Sequence, residues 1–370
     1  MTPPSAVAAR TIGPVRIVGA GLLGASIGLA LRSHGVDVIL ADISPSAVRL
    51  AIDYGAGRAA TADDSPRLIV VCVPPDSIAH TVATELAAYP DALVTDVASV
   101  KLAPLGELQA MGADISRYVG SHPMAGRERG GAIAARADLF VGRPWVIANH
   151  DGVADRRAAD SALEALALDL GAVPVELDAE EHDRSVALVS HVPQVISSLL
   201  AARLVDSSDA AVGLAGQGLR DTTRIAGSQP ELWVQILGAN SGAVVDILRH
   251  YRTDLDGVIE ALSEPDAPGA LRAVAESLAS GNAGVARIPG KHGQAKHFSQ
   301  LVVLVDDVPG QLARLLTEIG AFGVNLEDLR LEHSPGAQFG LAEISVVPEA
   351  EQRLLGELER LGWKIAGAQD

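Results

Sequence analysis

A chain of 370 residues with 48% hydrophobic and 20% charged residues exceeds what one hydrophobic core organises, so two or three domains of ordinary globular character are expected. The formal net charge of −17, with no Lys/Arg cluster to offset it, opposes a phosphate backbone over most of the surface and argues against nucleic acid as a partner. A single cysteine, Cys72, can form no intrachain disulfide and reads as a small core residue, which fits a reducing, cytoplasmic setting.

After a Pro/Ala-rich leader the first strand is expected at residues 15–18 and the first helix at 22–33. Arg10 and Arg16 before the uncharged stretch 17–31 give it a superficial likeness to a signal peptide. That stretch is shorter than the roughly 18 residues a membrane span needs and carries four glycines at patterned spacing, so it reads as strand, turn and helix, with no membrane partner. Gly19, Gly21 and Gly24 form GxGxxG between strand and helix. The first permits a tight turn, the second lets backbone approach a diphosphate, and the third allows close helix packing. The second strand, 36–41, ends at Asp42, about 20 residues past the fingerprint, where a carboxylate accepts from ribose hydroxyls and repels a 2′-phosphate. NAD is therefore expected in preference to NADP. Ser44 before Pro45 is the alternative cap for the helix at 46–54.

The strand at 68–73 ends in Pro74 and Pro75, which force the chain out of the sheet. Strands at 93–96 and 118–121 run into DVASVK and SHPMAGRERGG, and strands at 145–149 and 173–177 follow. Near-continuous apolar strands alternating with helices predict an α/β fold, a Rossmann-type doubly wound parallel sheet over residues 12–178. Open sheets of this kind bind ligands at the carboxyl ends of their strands, so Ser99, Lys101, His122 and Glu128 are expected to face the cofactor. Taken singly, His122 before Pro123 could be structural and Ser99 a helix cap; their joint placement points to chemistry.

Residues 179–281 lose the strand signal and show helical spacing through 186–205, 230–248 and 251–262, an all-helical domain that supplies substrate contacts or a dimer interface. Residues 282–296, with Pro289 and Gly290, read as a linker. Over 297–370, strands at 299–305, 325–332, 339–346 and 363–366 with helices at 310–320 and 350–361 predict a C-terminal α+β module in the order βαββαβ.

With GAGLLGASIGLAL, DVASVK, GSHPMAG, LVSHVPQ and GLRDTTRIAGSQPELW in one chain, the sequence resembles the prephenate/arogenate dehydrogenase family of tyrosine biosynthesis over nearly its whole length. The resemblance implies NAD(P)-dependent oxidative decarboxylation of a cyclohexadienol, giving 4-hydroxyphenylpyruvate from prephenate or tyrosine from arogenate. A neutral His122 suits removal of the carbinol proton, and Ser99 would orient His122 and the nicotinamide. The resemblance further implies Arg224 on a substrate carboxylate, His191 and Trp233 in the substrate pocket, a gating ion pair at Glu128, and Leu22, Leu23, Val73 and Pro74 beside the cofactor. On spacing alone Trp233 is a core anchor, His191 a buried, hydrogen-bonded helix histidine, and Glu128 a solvated loop carboxylate. Arg127, Gly130 and Gln194 depart from the family's frequent residues, which leaves the choice between prephenate and arogenate open. A homodimer through the helical domain is expected, and no metal site.

The segment LVVLVDDVPGQLARLLTEIGAFGVNLEDLRLE resembles the ACT domain. That likeness implies an effector contact by Asp307, Pro309, Gly310 and Asn325, with tyrosine or another aromatic amino acid as the ligand, or a module kept only for oligomerisation. Two further alternatives stay open at this point: a different two-domain dehydrogenase acting on 3-hydroxy acids, and a non-catalytic sensor of NAD and an amino acid.

Overall fold

The computed structural model describes residues 8–125, 131–288, 298–333 and 339–366. The chain divides into two units, residues 1–206 with 223–251, and residues 207–222 with 252–370.

The first unit opens with β1 (Val15–Val18), α1 (Leu22–Ser33), β2 (Val38–Ala41), α2 (Pro45–Asp53), β3 (Arg58–Ala59), β4 (Leu68–Val71), α3 (Ile78–Ala88), β5 (Leu93–Asp96) and α4 (Leu102–Ala110). The five strands are all parallel, in the order β3-β2-β1-β4-β5. Succession reverses between β1 and β4, and at such a switch point the flanking loops part and leave a crevice. The strands read as continuous apolar runs because both faces are covered. Ile17, Leu40 and Val70 pack to one side with Leu31 and Trp145, and Ile69 and Val71 pack to the other with Ile78, Val82 and Tyr118.

The continuation departs from the single parallel sheet expected from the sequence. β6 (Gly120–Pro123), β7 (Pro144–Asn149), α5 (Arg156–Asp169) and β8 (Val173–Asp178) build a separate three-stranded sheet in the order β6-β7-β8. Here β6 is antiparallel to β7 and β7 parallel to β8. A parallel neighbour needs a crossover, usually a helix. The link from β7 to β8 contains α5, whereas the described residues between β6 and β7 hold only the 3-10 turn Ala132–Ala134. One parallel bridge, Val94 to Tyr118, sets the start of β6 beside β5.

From residue 179 to 285 every described element is helical. α6 (Ala179–Val186) passes through a π-turn, Ala187–His191, into α7 (Val192–Ala202). Pro193 explains the widened turn, because it offers no N–H and its ring would strike the carbonyl one turn back in a regular helix. Then come α8 (Asp209–Gly213), α9 (Gln217–Thr223), the 3-10 turn Arg224–Gly227, α10 (Pro230–Ala239), α11 (Ser241–Ser263) and α12 (Ala270–Val285). α12 thus extends into the stretch expected as linker, and residues 289–297 of that stretch lie outside the described residues.

In the second unit, β9 (Ser299–Asp306), α13 (Gln311–Ala321), β10 (Asp328–His333), β11 (Phe339–Val346), α14 (Pro348–Arg360) and β12 (Lys364–Ala366) follow the expected βαββαβ order. Their sheet is antiparallel throughout, in the order β10-β11-β9-β12. Alternate residues Leu301, Val303 and Val305 of β9 are buried against Leu315, Ile319, Leu354 and Leu358 of the two helices, the pattern of a sheet covered on one face.

Candidate active site

The glycine loop between β1 and α1 has the shape of a diphosphate cradle. Gly19 sits at φ 108°, and a Cβ there would lie 2.4 Å from the Cys72 carbonyl oxygen at the end of β4. A Cβ on Gly24 would lie 1.9 Å from the Gly19 carbonyl oxygen, so α1 can pack this closely only without a side chain. At Gly21 a Cβ would meet no protein atom within 4 Å, so packing within the chain does not demand a glycine there, in keeping with the expected approach of a ligand. Gly21 caps α1 without a side-chain hydrogen bond, and the first turn holds no acid, leaving the opening amides to an anion.

Asp42 at the tip of β2 has a second duty besides the expected ribose contact. Its Oδ2 accepts from Ala20 N at 2.7 Å and its Oδ1 from Ser44 N at 2.8 Å, which ties the glycine loop to β2. Ser44, accepting from Ala47 N, caps α2 instead. Leu22, Leu23 and Val73 are half-buried and Pro74 is exposed around this crevice. These residues fit a dinucleotide. Gly24→Ala is expected to cost about 1–3 kcal/mol through overpacking and to weaken dinucleotide binding. Calorimetry with and without the nucleotide checks this, and unchanged affinity would exclude Gly24 from the cradle.

Beyond β5 a buried hydrogen-bonded chain runs through His122. Its Nδ1 lies 2.9 Å from His182 Nε2, and His182 Nδ1 lies 2.7 Å from Asp183 Oδ1. Asp183 Oδ1 also accepts from Lys101 N at 2.8 Å and its Oδ2 from Leu102 N at 2.9 Å, so this carboxylate from α6 caps the start of α4. An ionised carboxylate only accepts. With a single proton on His182, that proton sits on Nδ1, Nε2 accepts, and His122 Nδ1 donates, which leaves the lone pair of His122 on Nε2. Among the described residues Nε2 of His122 has no hydrogen-bond partner. Burial, followed by the neighbouring His182, Lys101 and His191, holds the His122 imidazolium well below the ordinary histidine range, so the ring is neutral.

The same region gathers His191 and Trp233, whose ring centroids are 6.1 Å apart edge to face. His191 is 1% exposed, its Nδ1 is 3.1 Å from Asn240 Nδ2, and burial lowers it to about 4. Asn240 also donates to the Asp183 carbonyl at 2.7 Å. Arg224 is exposed at the start of the 3-10 turn that packs on α7, and among the described residues nothing pairs with its guanidinium. Ser99 is half-buried in the turn after β5, but the ring partner of His122 is His182 in its place. Glu128, with Arg127 and Gly130, lies outside the described residues.

Residues 27–175 match the family model described as prephenate dehydrogenase, nucleotide-binding domain, and residues 178–276 that described as prephenate dehydrogenase, dimerization domain. A probable prephenate dehydrogenase, NovF, of Streptomyces niveus is 38% identical over 355 residues, covering 94% of this chain and 98% of that protein. The chain belongs to the prephenate dehydrogenase family. The crystal structure of prephenate dehydrogenase from A. aeolicus, in complex with hydroxyphenyl propionate and NAD+, is similar at 26% identity and a TM-score of 0.63, over 73% of this chain and 97% of that one. Synechocystis arogenate dehydrogenase is similar at 29% identity and a TM-score of 0.61, over 72% and 98%.

Family membership makes this chain an NAD-dependent oxidoreductase. Sequence patterning alone overlooks His182, Asp183 and Asn240. His182 and Asp183 lie inside the polar run 180–185, EEHDRS, which reads as a solvated helix start and does not mark these two as buried. The nine residues from His182 to His191 hide their relation as well, since residues nine apart lie about 180° apart around a regular helix. The π-turn takes up one residue and reduces that angle to about 80°.

Proposed function

We propose that the protein uses NAD to convert prephenate to 4-hydroxyphenylpyruvate and CO2, with His122 as the base. The reading rests on the lone pair held at Nε2 of a buried, neutral His122, in the same unit as the dinucleotide cradle. NAD, when bound, supplies the hydride acceptor. His122 takes the carbinol proton as the hydride departs, and the substrate's ring carboxylate leaves as CO2. The electron pair of the broken C–C bond enters the ring, and His122 returns its proton to the phenolic oxygen. Proton and charge balance without net proton release. Arg224 offers a planar guanidinium to a substrate carboxylate, while His191 and Trp233 line the pocket and Ser99 borders it.

Arogenate is the second reading, favoured by the likeness to the Synechocystis enzyme. The two substrates differ in a keto against an ammonium group, and Gln194, 5% exposed on α7, carries a neutral amide able to face either. Mixing the protein with each substrate and NAD or NADP, and following reduced-nicotinamide absorbance, decides substrate and cofactor together. No reduction with either substrate would sink the assignment.

A homodimer accounts for exposed apolar side chains on the helical segment, among them Val234, Ile259, Leu271 and Leu278. Sedimentation at twice the chain mass is the expected reading. The C-terminal unit is assigned as an ACT-like sensor of tyrosine. Its β9–α13 turn presents Asp307 and Pro309 at the surface, Gly310 in the left-handed region at φ 92°, and Asn325 exposed nearby in sequence. Tyrosine is expected to inhibit the full-length chain, and the exposed double variant Asp307→Ala/Asn325→Ala to abolish that inhibition with turnover retained. Unchanged sensitivity would move tyrosine to the active site.

A further inference from the structure

Among the described residues of the first unit Lys101 is the largest buried cation, 2% exposed, and the chemistry assigned to His122 makes no direct use of it. Its ammonium pairs with Asp96 Oδ1 and donates to the Ser121 carbonyl at 2.7 Å, the peptide group immediately before His122. Its backbone amide donates to Asp183 Oδ1, the atom that also holds His182 Nδ1. One residue therefore touches both ends of the histidine chain. Gly120 keeps space for it, since a Cβ there would lie 2.9 Å from Lys101 Cδ. Asp96 is in turn completed by the Tyr118 hydroxyl at 2.7 Å and Ala98 N at 2.8 Å. A buried ion pair is a poor source of stability compared with apolar side chains of similar volume, so its presence under a reactive ring calls for another reason.

We propose that Lys101 is a positioning residue for the oxidation site: its ammonium grips the strand that carries His122 while its amide holds the carboxylate that orients His182. The proposal rests on the reading of His122 as base. Among the described residues, the charged and titratable groups around His122 are His182 on α6, His191 in the π-turn and Lys101 before α4. Asp183 stands behind His182, and Asp96 with the Tyr118 hydroxyl stands behind Lys101. The Lys101 charge opposes protonation of His122, so the residue sets both the place of the ring and the pH at which it titrates.

The test uses the full-length chain, first establishing that the wild type oxidises prephenate or arogenate; failure at that stage removes the functional reading before any variant is compared. Lys101→Gln keeps a hydrogen-bond donor and removes the charge. The double variant Lys101→Met/Asp96→Asn neutralises the whole pair and avoids an unpaired buried carboxylate. In both, kcat is expected to fall about tenfold or more with KM for NAD and substrate nearly unchanged. The acid limb of the pH profile should move upward by about one unit as His122 becomes easier to protonate. Wild-type kcat and an unmoved acid limb, with only a lower melting temperature, would overturn the proposal. So would failure of both variants to fold, which would make the pair a requirement of the fold alone.

Discussion

His122→Asn is expected to lower kcat by about 10²–10⁴-fold while leaving the affinity for NAD close to that of the wild type. The asparagine amide can occupy the place of Nδ1 and still donate to His182 Nε2, so the chain to Asp183 keeps its partner and the surroundings keep their packing. What disappears is Nε2, the only atom of that side chain with a free lone pair. The pH profile separates loss of the base from a general disturbance. In the wild type the neutral ring is the active form, so turnover is constant above the His122 pKa and falls as pH drops through it. Because burial, His182, Lys101 and His191 hold that pKa well below the ordinary histidine range, the acid limb should lie below pH 6.5. The residual activity of the variant should lack this limb. Full turnover in His122→Asn would move the proton transfer to another residue and favour a different two-domain dehydrogenase.

Asp183→Asn removes no atom near the reacting bond and is nevertheless expected to cost about 10²–10⁴-fold in kcat, by analogy with the loss of a tautomer-setting aspartate behind a catalytic histidine. The wild-type carboxylate accepts from His182 Nδ1, Lys101 N and Leu102 N, three donors on two oxygens. An asparagine with its NH2 in the place of Oδ1 turns that group towards His182 Nδ1 and Lys101 N, while its oxygen keeps Leu102 N. Nδ1 of His182 must then accept, Nε2 carries the proton, and His122 is left with its own proton on Nε2, where a base is needed. One buried amide or ring nitrogen also loses a good partner, at a cost of about 1–3 kcal/mol in stability. Steady-state kinetics together with nitrogen chemical shifts of the two imidazoles would report both effects. If kcat and the tautomers were unchanged, His182 would not be the route by which His122 is oriented.

Much of the architecture is legible in the sequence because local physics and tertiary structure agree there. Val15–Val18, Leu22–Ser33 and Leu93–Asp96 fall at the residues their apolar runs and flanking glycines indicate. Gly19, Gly21 and Gly24 can be assigned separate duties from spacing, since each duty is a steric one and the spacing encodes it. Strand direction is different. Nothing in the apolar pattern of residues 120–123 states which way a neighbour runs, and the described residues between β6 and β7 hold no crossover helix, in keeping with their antiparallel pairing. The partner of His122 is hidden for a related reason. It comes from a residue 60 positions later, on a helix whose phase is changed by a π-turn, and Ser99, close in sequence, is the nearer candidate.

The carboxylate of Asp183 also has a meaning for how such a chain can be divided. The two family domains meet between residues 175 and 178, and a seam of that kind invites separate expression, fusion or shuffling of the halves. Here the seam is crossed by the hydrogen bonds that cap α4 and by the ring-to-ring bond of His122 with His182. A fragment ending at the seam would keep every glycine of the cradle, yet its α4 would begin with bare amides and His122 could turn its ring and take either tautomer. Grafting this nucleotide-binding half onto a foreign partner therefore transfers the capacity to hold a dinucleotide without the capacity to hold a proton in register with it.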